Sequence, residues 1–230
     1  SGPDLESLGV TAHMRLDPFG DHPLRREISA WTTFFGIGDF ELYSGGDDPN
    51  RIAAFSRDFV TIILGETIST PLSPRDRARL ASSLYAVTRG LGPWLTLSIE
   101  EGEAWIRGAL RAIGAPLASA SAATEPSDDE LARAEALTAR LSREERDELV
   151  EMAELASTRA ADLTSFPLAA RSSAARLVTL LAGEPSILRS LPRLVPSDPD
   201  GRRLLLSEVI RFALADEFPL LRRKAGWEKA

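Results

Sequence analysis

Residues 40–64 have the sequence FELYSGGDDPNRIAAFSRDFVTIIL, which contains three short runs of branched and aromatic residues. The runs lie at 40–43, 52–55 and 59–64, and turn-forming Gly, Asp, Pro, Asn and Ser residues separate them. Short apolar runs bounded by such residues are typical of β-strands joined by turns. The sequence therefore predicts a small antiparallel meander, with residues 44–50 as a hairpin turn, and we expect no other sheet.

Helical periodicity dominates the chain on both sides of this sheet. Leu24, Ile28, Trp31 and Phe35 recur at helical spacing and predict a helix over 24–35. Further helices are predicted over 73–90, 98–113, 128–139, 142–159, 169–182 and 202–223. In the helix over 98–113, Trp105 is expected to point inward, and the helix over 142–159 begins with the spacing of a capping box, Ser142 and Glu145. The predicted fold class is α+β and predominantly helical, with the small sheet packed on a helical bundle.

The predicted domain organisation is simple. Residues 1–23 are punctuated by proline and predict an extended N-terminal segment. Residues 24–230 predict a single mainly helical domain, and an Ala-, Ser- and Pro-rich stretch near 115–127 predicts an exposed linker. A chain of 230 residues is long enough to bury one substantial core.

The composition argues against several classes of partner and site. The net charge is −7, from 34 acidic and 27 basic residues, which disfavours nucleic acid and anionic lipid as partners. The chain has no cysteine, so disulfides and thiolate metal sites are excluded. We also expect no membrane insertion and no signal peptide, because no apolar run approaches the roughly 20 residues of a membrane span. The expected location is the cytoplasm.

No catalytic, cofactor-binding or metal site is expected from the reactive residues. His13 and His22 lie in the proline-rich N-terminal segment, where nothing indicates rigid partners. The loop at 45–50 lacks the alternating ligands of a calcium loop. Ser82 and Ser83 lie in a predicted helix without a nearby base. Acidic pairs at 100–101 and 128–129 fall where helices begin, and the helix dipole accounts for them.

The C-terminus offers a different kind of candidate. Trp227 follows Arg222 and Arg223 closely, which is a combination suited to docking on another protein. The other tryptophans are spread along the chain and are expected to be core or interface anchors.

Three stretches between the second predicted strand and the following helix resemble a known family. They are NRIAAF at 50–55, VTIILGETI at 60–68 and LSPRDRARL at 72–80. They resemble the segment leading into the zinc helix of gluzincin metallopeptidases of the HtpX and CAAX prenyl endopeptidase type. The resemblance places Ser83 and Val87 where the two histidine ligands of the HExxH motif stand, and Leu84 where the general base stands.

The family's third zinc ligand has a counterpart in ELASTRA at 154–160. Glu154 takes the ligand position, and Thr158 replaces the supporting acid. One carboxylate cannot hold a catalytic zinc, which takes three protein ligands. The resemblance thus implies a zincin-like fold without its metal site. Residues 210–221, with the Glu154 region, are also similar to domains found C-terminal to tetratricopeptide-repeat arrays in large bacterial proteins.

The leading hypothesis is a non-catalytic protein-interaction or scaffold domain, a pseudo-metallopeptidase within a larger bacterial protein. Its partner would be another protein or another domain of its own chain, bound at the former substrate strand edge or cleft. Two alternatives stay open. One is an enzyme with a carboxylate site around Glu154, Asp162 and Asp216. The other is a helical self-assembly module, and the oligomeric state is left open.

Overall fold

The computed structural model describes residues 4–115, 125–159, 165–192 and 194–224, and its fold is α+β and mainly helical, as predicted. Its strands are β1 (Phe40–Ser44), β2 (Ile52–Ser56) and β3 (Val60–Leu64). Its helices are α1 (Pro23–Phe34), α2 (Pro74–Thr88), α3 (Gly92–Thr96), α4 (Ile99–Ile113), α5 (Asp128–Thr138), α6 (Arg143–Arg159), α7 (Phe166–Ala182), α8 (Pro199–Leu214) and α9 (Glu217–Lys224).

The packing divides the chain into two compact units. The first unit combines residues 1–95 with 171–230, and the second covers 96–170. The prediction from the sequence was one domain over 24–230 with an exposed linker near 115–127. Most of that linker, residues 116–124, lies outside the described residues.

The sheet of the first unit is mixed, so the predicted antiparallel meander is wrong in one pairing. The strand order is β1-β3-β2, with β2 antiparallel to β3 and β1 parallel to it. The residues after β1 do not form the predicted hairpin turn. They cross the end of β3 instead, where the Gly45 amide donates to the Leu64 carbonyl and the Gly65 amide donates to the Arg51 carbonyl, each at 2.8 Å. The most apolar strand, β3, thereby takes the central position, where both of its edges are paired.

The inner face of the sheet packs against α1 and α2 to form the main core. Alternate residues of the strands, such as Leu42 and Ile62, point to this face and are fully buried. Ile28 of α1 and Leu84 of α2 meet them there. Helix α2 begins as predicted, because the Ser73 side chain accepts a hydrogen bond from the Asp76 amide and proline follows as the first helical residue.

The N-terminal segment covers the outer face of the sheet. Val10 packs there on Tyr43 and Ile63, and all three are buried. The Leu16 amide donates to the Leu42 carbonyl at 2.8 Å, which ties the segment to the free edge of β1. The segment contains two 3-10 turns, Glu6–Leu8 and Ala12–Met14, and it is an integral part of the first unit.

The second unit is built from α4, α5 and α6. Its apolar core includes Leu110 and Ile113 of α4, with Val150 and Ala153 of α6. Helices α4 and α6 start with capping boxes, and the one at Ser142 and Glu145 was predicted. Trp105 was expected to point inward, but it is partly exposed, and the Arg133 guanidinium lies 5.7 Å from its ring centroid.

A buried ion pair joins α4 to α5. Glu130 is only 3% exposed and accepts a hydrogen bond of 2.7 Å from the Arg107 Nε atom. The Arg111 Nε atom lies 3.7 Å from the same carboxylate. A side chain at Gly108 would approach the Glu130 carbonyl oxygen to 3.1 Å, so this glycine lets the two helices cross closely.

The predicted C-terminal helix over 202–223 is two helices, α8 and α9, separated at Ala215 and Asp216. Proline at position 219 explains the break, because it lacks an amide hydrogen and its ring would clash in a helix interior. Starting α9 at Glu217 places Pro219 in the first turn, where its missing donor costs little. Among the described residues, no helix is both long and apolar enough to cross a bilayer.

Candidate interaction surface

Helix α8 has apolar residues on two opposite sides. Its inner side carries Leu205 and Val209, which are fully buried. Residues in a helix advance by about 100° each, which places Ile210 and Leu214 on the side away from this core. Ile210 is 48% exposed and Leu214 is 79% exposed. A surface helix normally has one apolar stripe, so the second one needs a separate explanation.

The exposed side of α8 also carries positive charge. Arg203 and Arg211 lie on it beside Leu204, Ile210 and Leu214, and all five residues are exposed. Within the described residues, Arg203 forms one ion pair, in which its Nη1 atom lies 3.8 Å from the Asp200 Oδ1 atom. Both side chains of this pair are strongly exposed. Such a pair is weak in water. We call these five residues the α8 face.

Of the two acids of α8, Asp200 forms the weak pair with Arg203, and Glu208 is turned away from this face. Glu208 accepts a hydrogen bond from the Ser172 hydroxyl of α7. Its carboxylate also lies 3.2 Å from the Arg176 Nη2 atom. These contacts bind α8 to α7 and leave the α8 face basic and apolar.

The start of α8 is fixed by local hydrogen bonds. The Asp198 side chain caps the helix by accepting from the Gly201 amide at 2.6 Å, and Pro199 is the first helical residue. At its other end, Phe212 packs edge-on against Phe218 of α9 at 5.3 Å between ring centroids. The α8 face is therefore carried by a helix that is held at both ends.

The predicted docking residues of the C-terminus have different roles. The Arg222 Nη1 atom donates to the Leu180 carbonyl at 2.6 Å and lies over Gly183, so this arginine fastens α9 to the end of α7. Arg223 is exposed. Trp227 lies outside the described residues.

The positions of the degenerate zinc motif do not form a surface cleft on α2. Leu84, at the general-base position, is 0% exposed in the main core. Ser83 and Val87, at the histidine positions, are half-buried. Glu154 is exposed on α6, and Thr158 lies on the same helix, so these two belong to the second compact unit.

The other predicted site residues are divided between the two units or lie outside the described residues. Glu154 falls in the second unit and Asp216 in the first, while Asp162 lies outside the described residues. His22 caps α1, since its Nδ1 atom accepts a hydrogen bond of 3.2 Å from the Leu24 amide. Within the described part of the chain, no group of three or more His, Cys, Asp or Glu side chains could hold a metal ion.

A partner site was predicted at a strand edge, and the sheet has two edge strands, β1 and β2. The N-terminal segment already bonds to β1, which leaves the edge of β2. Its residues 52, 54 and 56 direct their backbone groups away from β3, because the hydrogen-bonded pairs of an antiparallel ladder alternate. However, Ile52 is buried in the main core, and α2 lies against this strand. Side chains of β2 therefore belong partly to the core, whereas the large apolar side chains of the α8 face are exposed.

The ionisable groups with shifted pKa values serve structural contacts. Burial raises the pKa of Tyr43, and the charge and hydrogen bond of Glu41 raise it further. The Ser98 and Ser142 amides and hydroxyls lower the pKa of Glu101 and of Glu145 in the two capping boxes. Burial, followed by the charge of Arg15, lowers the pKa of Arg25.

No protein-family model matches the chain, and comparison with curated proteins and with solved structures gives no significant match. The α8 face was not predicted from the sequence. Its signal was present: Leu205 and Val209 mark one side of the helix, and Ile210 and Leu214 mark the other.

Proposed function

We propose that this chain is a non-catalytic protein-interaction or scaffold domain whose binding surface is the α8 face. The observation that carries the proposal is the exposed pair Ile210 and Leu214, which lies opposite the buried side of the same helix. Burying one such side chain completely stabilises a complex by about 1.5–3 kcal/mol. Arginine is among the residues enriched at the energetic centres of protein interfaces.

Because of the resemblance to gluzincins, we further propose that this domain is a pseudo-metallopeptidase, descended from a metallopeptidase without its catalytic residues. The non-catalytic part of the proposal agrees with the burial of Leu84, because a side chain at the centre of the core is not available to activate a water molecule. The implied setting is a larger bacterial protein that carries tetratricopeptide repeats and acts in the cytoplasm. The sequence of the complete gene product tests that setting directly.

A binding experiment tests the interaction. Wild-type protein and the double variant Ile210→Ser/Leu214→Ser are immobilised and exposed to proteins of the source cell. Each protein that is retained is then purified and titrated against both forms. We expect a stoichiometric complex with the wild type that weakens at least tenfold with the double variant.

The matched control is Phe19→Ser, which removes a 96% exposed aromatic side chain elsewhere in the first unit. It should bind like the wild type. If the double variant binds every purified partner as tightly as the control does, the α8 face is not the binding surface. Stoichiometric, tightly held zinc in protein purified with zinc present would refute the pseudo-metallopeptidase part.

A further inference from the structure

The second compact unit has an exposed apolar surface of opposite charge. Leu149, Met152 and Leu155 of α6 are all exposed, and Met152 is 65% exposed. They follow one another at intervals of three residues, so they form a continuous stripe along the helix. Glu148 and Glu151 lie beside this stripe and are exposed. We call these five residues the α6 flank.

The α6 flank is not needed by the core of its own unit. Val150 and Ala153, on the other side of α6, pack toward Leu110 and Ile113 of α4. Glu148 and Glu151 form no ion pair with any residue that the structure describes. The flank therefore presents apolar side chains together with uncompensated negative charge.

The charges of the chain are divided unequally between the two units. Residues 96–170 contain fifteen acidic and seven basic residues, which is a net charge of −8. The whole chain has −7, so the first unit has +1. The acidic unit carries the α6 flank, and the other unit carries the basic α8 face.

We propose that the α8 face of one copy docks on the α6 flank of a second copy. This inference rests on the proposed function, since it names the occupant of the α8 face. Leu149, Met152 and Leu155 would pack against Leu204, Ile210 and Leu214. Arg203 and Arg211 would meet Glu148 and Glu151.

Charge favours a head-to-tail contact between copies over a contact between identical surfaces. Two α8 faces related by a two-fold axis would bring Arg203 and Arg211 against the same arginines, and two α6 flanks would oppose glutamates. Like charges at an interface oppose association. The head-to-tail contact joins unlike surfaces, and a contact of this type extends to further copies unless the rotation closes a ring.

The expected contact is weak and depends on salt. Each surface offers one helix side with three apolar residues, which belongs to the class of interfaces below about 1,200 Å². We expect association in the range of tens to hundreds of micromolar. Charge pairs at the rim are screened within about 10 Å at 0.1 M salt, so association should decrease as salt increases.

Sedimentation velocity of the full 230-residue chain tests the proposal. The wild type is measured from about 5 to 500 μM in about 0.05 M and 0.5 M salt, where screening differs strongly. Arg203→Glu/Arg211→Glu and Glu148→Arg/Glu151→Arg are measured alone and as an equimolar mixture. We expect the wild type to associate at low salt, each variant alone to weaken association at least tenfold, and the mixture to associate.

Matched controls reverse one exposed charge outside each surface, Arg75→Glu on α2 and Glu135→Arg on α5. Both should associate like the wild type, and circular dichroism should show that every variant is folded. If the controls weaken association as much as the double variants do, the change in net charge alone explains the effect, and the proposal is overturned.

Two other outcomes also overturn it. One is a wild type that stays monomeric throughout the concentration range. The other is association that persists in Glu148→Arg/Glu151→Arg, because a pair of α8 faces would then be responsible. In either case, the loss of a purified partner by Ile210→Ser/Leu214→Ser would still support the proposed function, so the two ideas fail separately.

Discussion

A glutamate at position 84, where the resemblance to gluzincins places the general base, should strongly destabilise this domain. Leu84→Glu places a carboxyl group at a position that is 0% exposed in the main core. Losing the burial of leucine costs about 1.5–3 kcal/mol. Burying a polar group without a hydrogen-bond partner costs about 2 kcal/mol or more in addition. The expected loss is about 3.5–5 kcal/mol, which approaches the low end of the stability of a typical domain.

Urea unfolding followed by tryptophan fluorescence measures this loss, because Trp31 is buried in the same core cluster as Leu84. Leu84→Met is the control, since a swap that conserves volume costs less than about 1.5 kcal/mol. A Leu84→Glu protein that unfolds within about 1 kcal/mol of the wild type, well below the burial cost of leucine, would refute the placement of this position in the core.

Three further outcomes follow from close contacts. Gly65→Ala should destabilise the first unit by about 2–3 kcal/mol, because the new Cβ atom would clash with the Pro49 carbonyl and overpacking has this cost. A change below about 0.5 kcal/mol in urea unfolding would contradict that contact. Glu130→Ala should lower the stability by about 2–3 kcal/mol, at or below the low end for breaking a buried pair, because Arg107 keeps some solvent exposure. Thermal unfolding measures this loss. An unchanged unfolding midpoint would show that the ion pair does not stabilise the fold. Ser98→Ala should raise the pKa of Glu101, whose lowered value comes first from the backbone and then the hydroxyl of residue 98. A carboxyl group with a lowered pKa stabilises the fold at pH values above the normal glutamate pKa, and this effect is lost as the pH falls. NMR titration should show a smaller lowering of the Glu101 pKa in the variant than in the wild type. An identical titration in both proteins would contradict the capping box.

Local features of the fold could be predicted because their causes lie within a few residues. The Ser142–Glu145 capping box was predicted from its spacing, and its two hydrogen bonds are 2.8 and 3.2 Å long. The α+β class followed in the same way from the periodicity of apolar residues. The break before Pro219 was missed, although a proline inside a helical pattern was a sufficient signal.

The strand order could not be predicted from local patterns. The residues after β1 have the composition of a hairpin turn, yet they hydrogen-bond across the end of β3. A turn composition specifies that the chain changes direction, and it does not specify which strand comes next to which. That choice is made by the competition of whole strands for the central position, which β3 occupies with four of its five residues buried.

At the candidate site too, contacts between residues far apart in the chain could not be predicted from local patterns. Arg222 was predicted to contact a partner, because a basic residue near the C-terminus resembles a docking tail in the sequence. Its hydrogen bond to the Leu180 carbonyl spans 42 positions of the chain, and no local pattern contains that information. Leu84 was placed by resemblance at a catalytic position, whereas packing makes it a core residue.

The sequence by itself determined most of the helices and the capping serines at 73 and 142, since these depend on spacing and composition. Only the tertiary structure decided which apolar surfaces are covered. Val10 lies on Ile63 although they are far apart in the chain, and Ile210 stays exposed although Val209 beside it is buried. The physical reason is that burial depends on which distant elements occupy the space beside a residue, and the residue's own neighbours in the chain do not specify this.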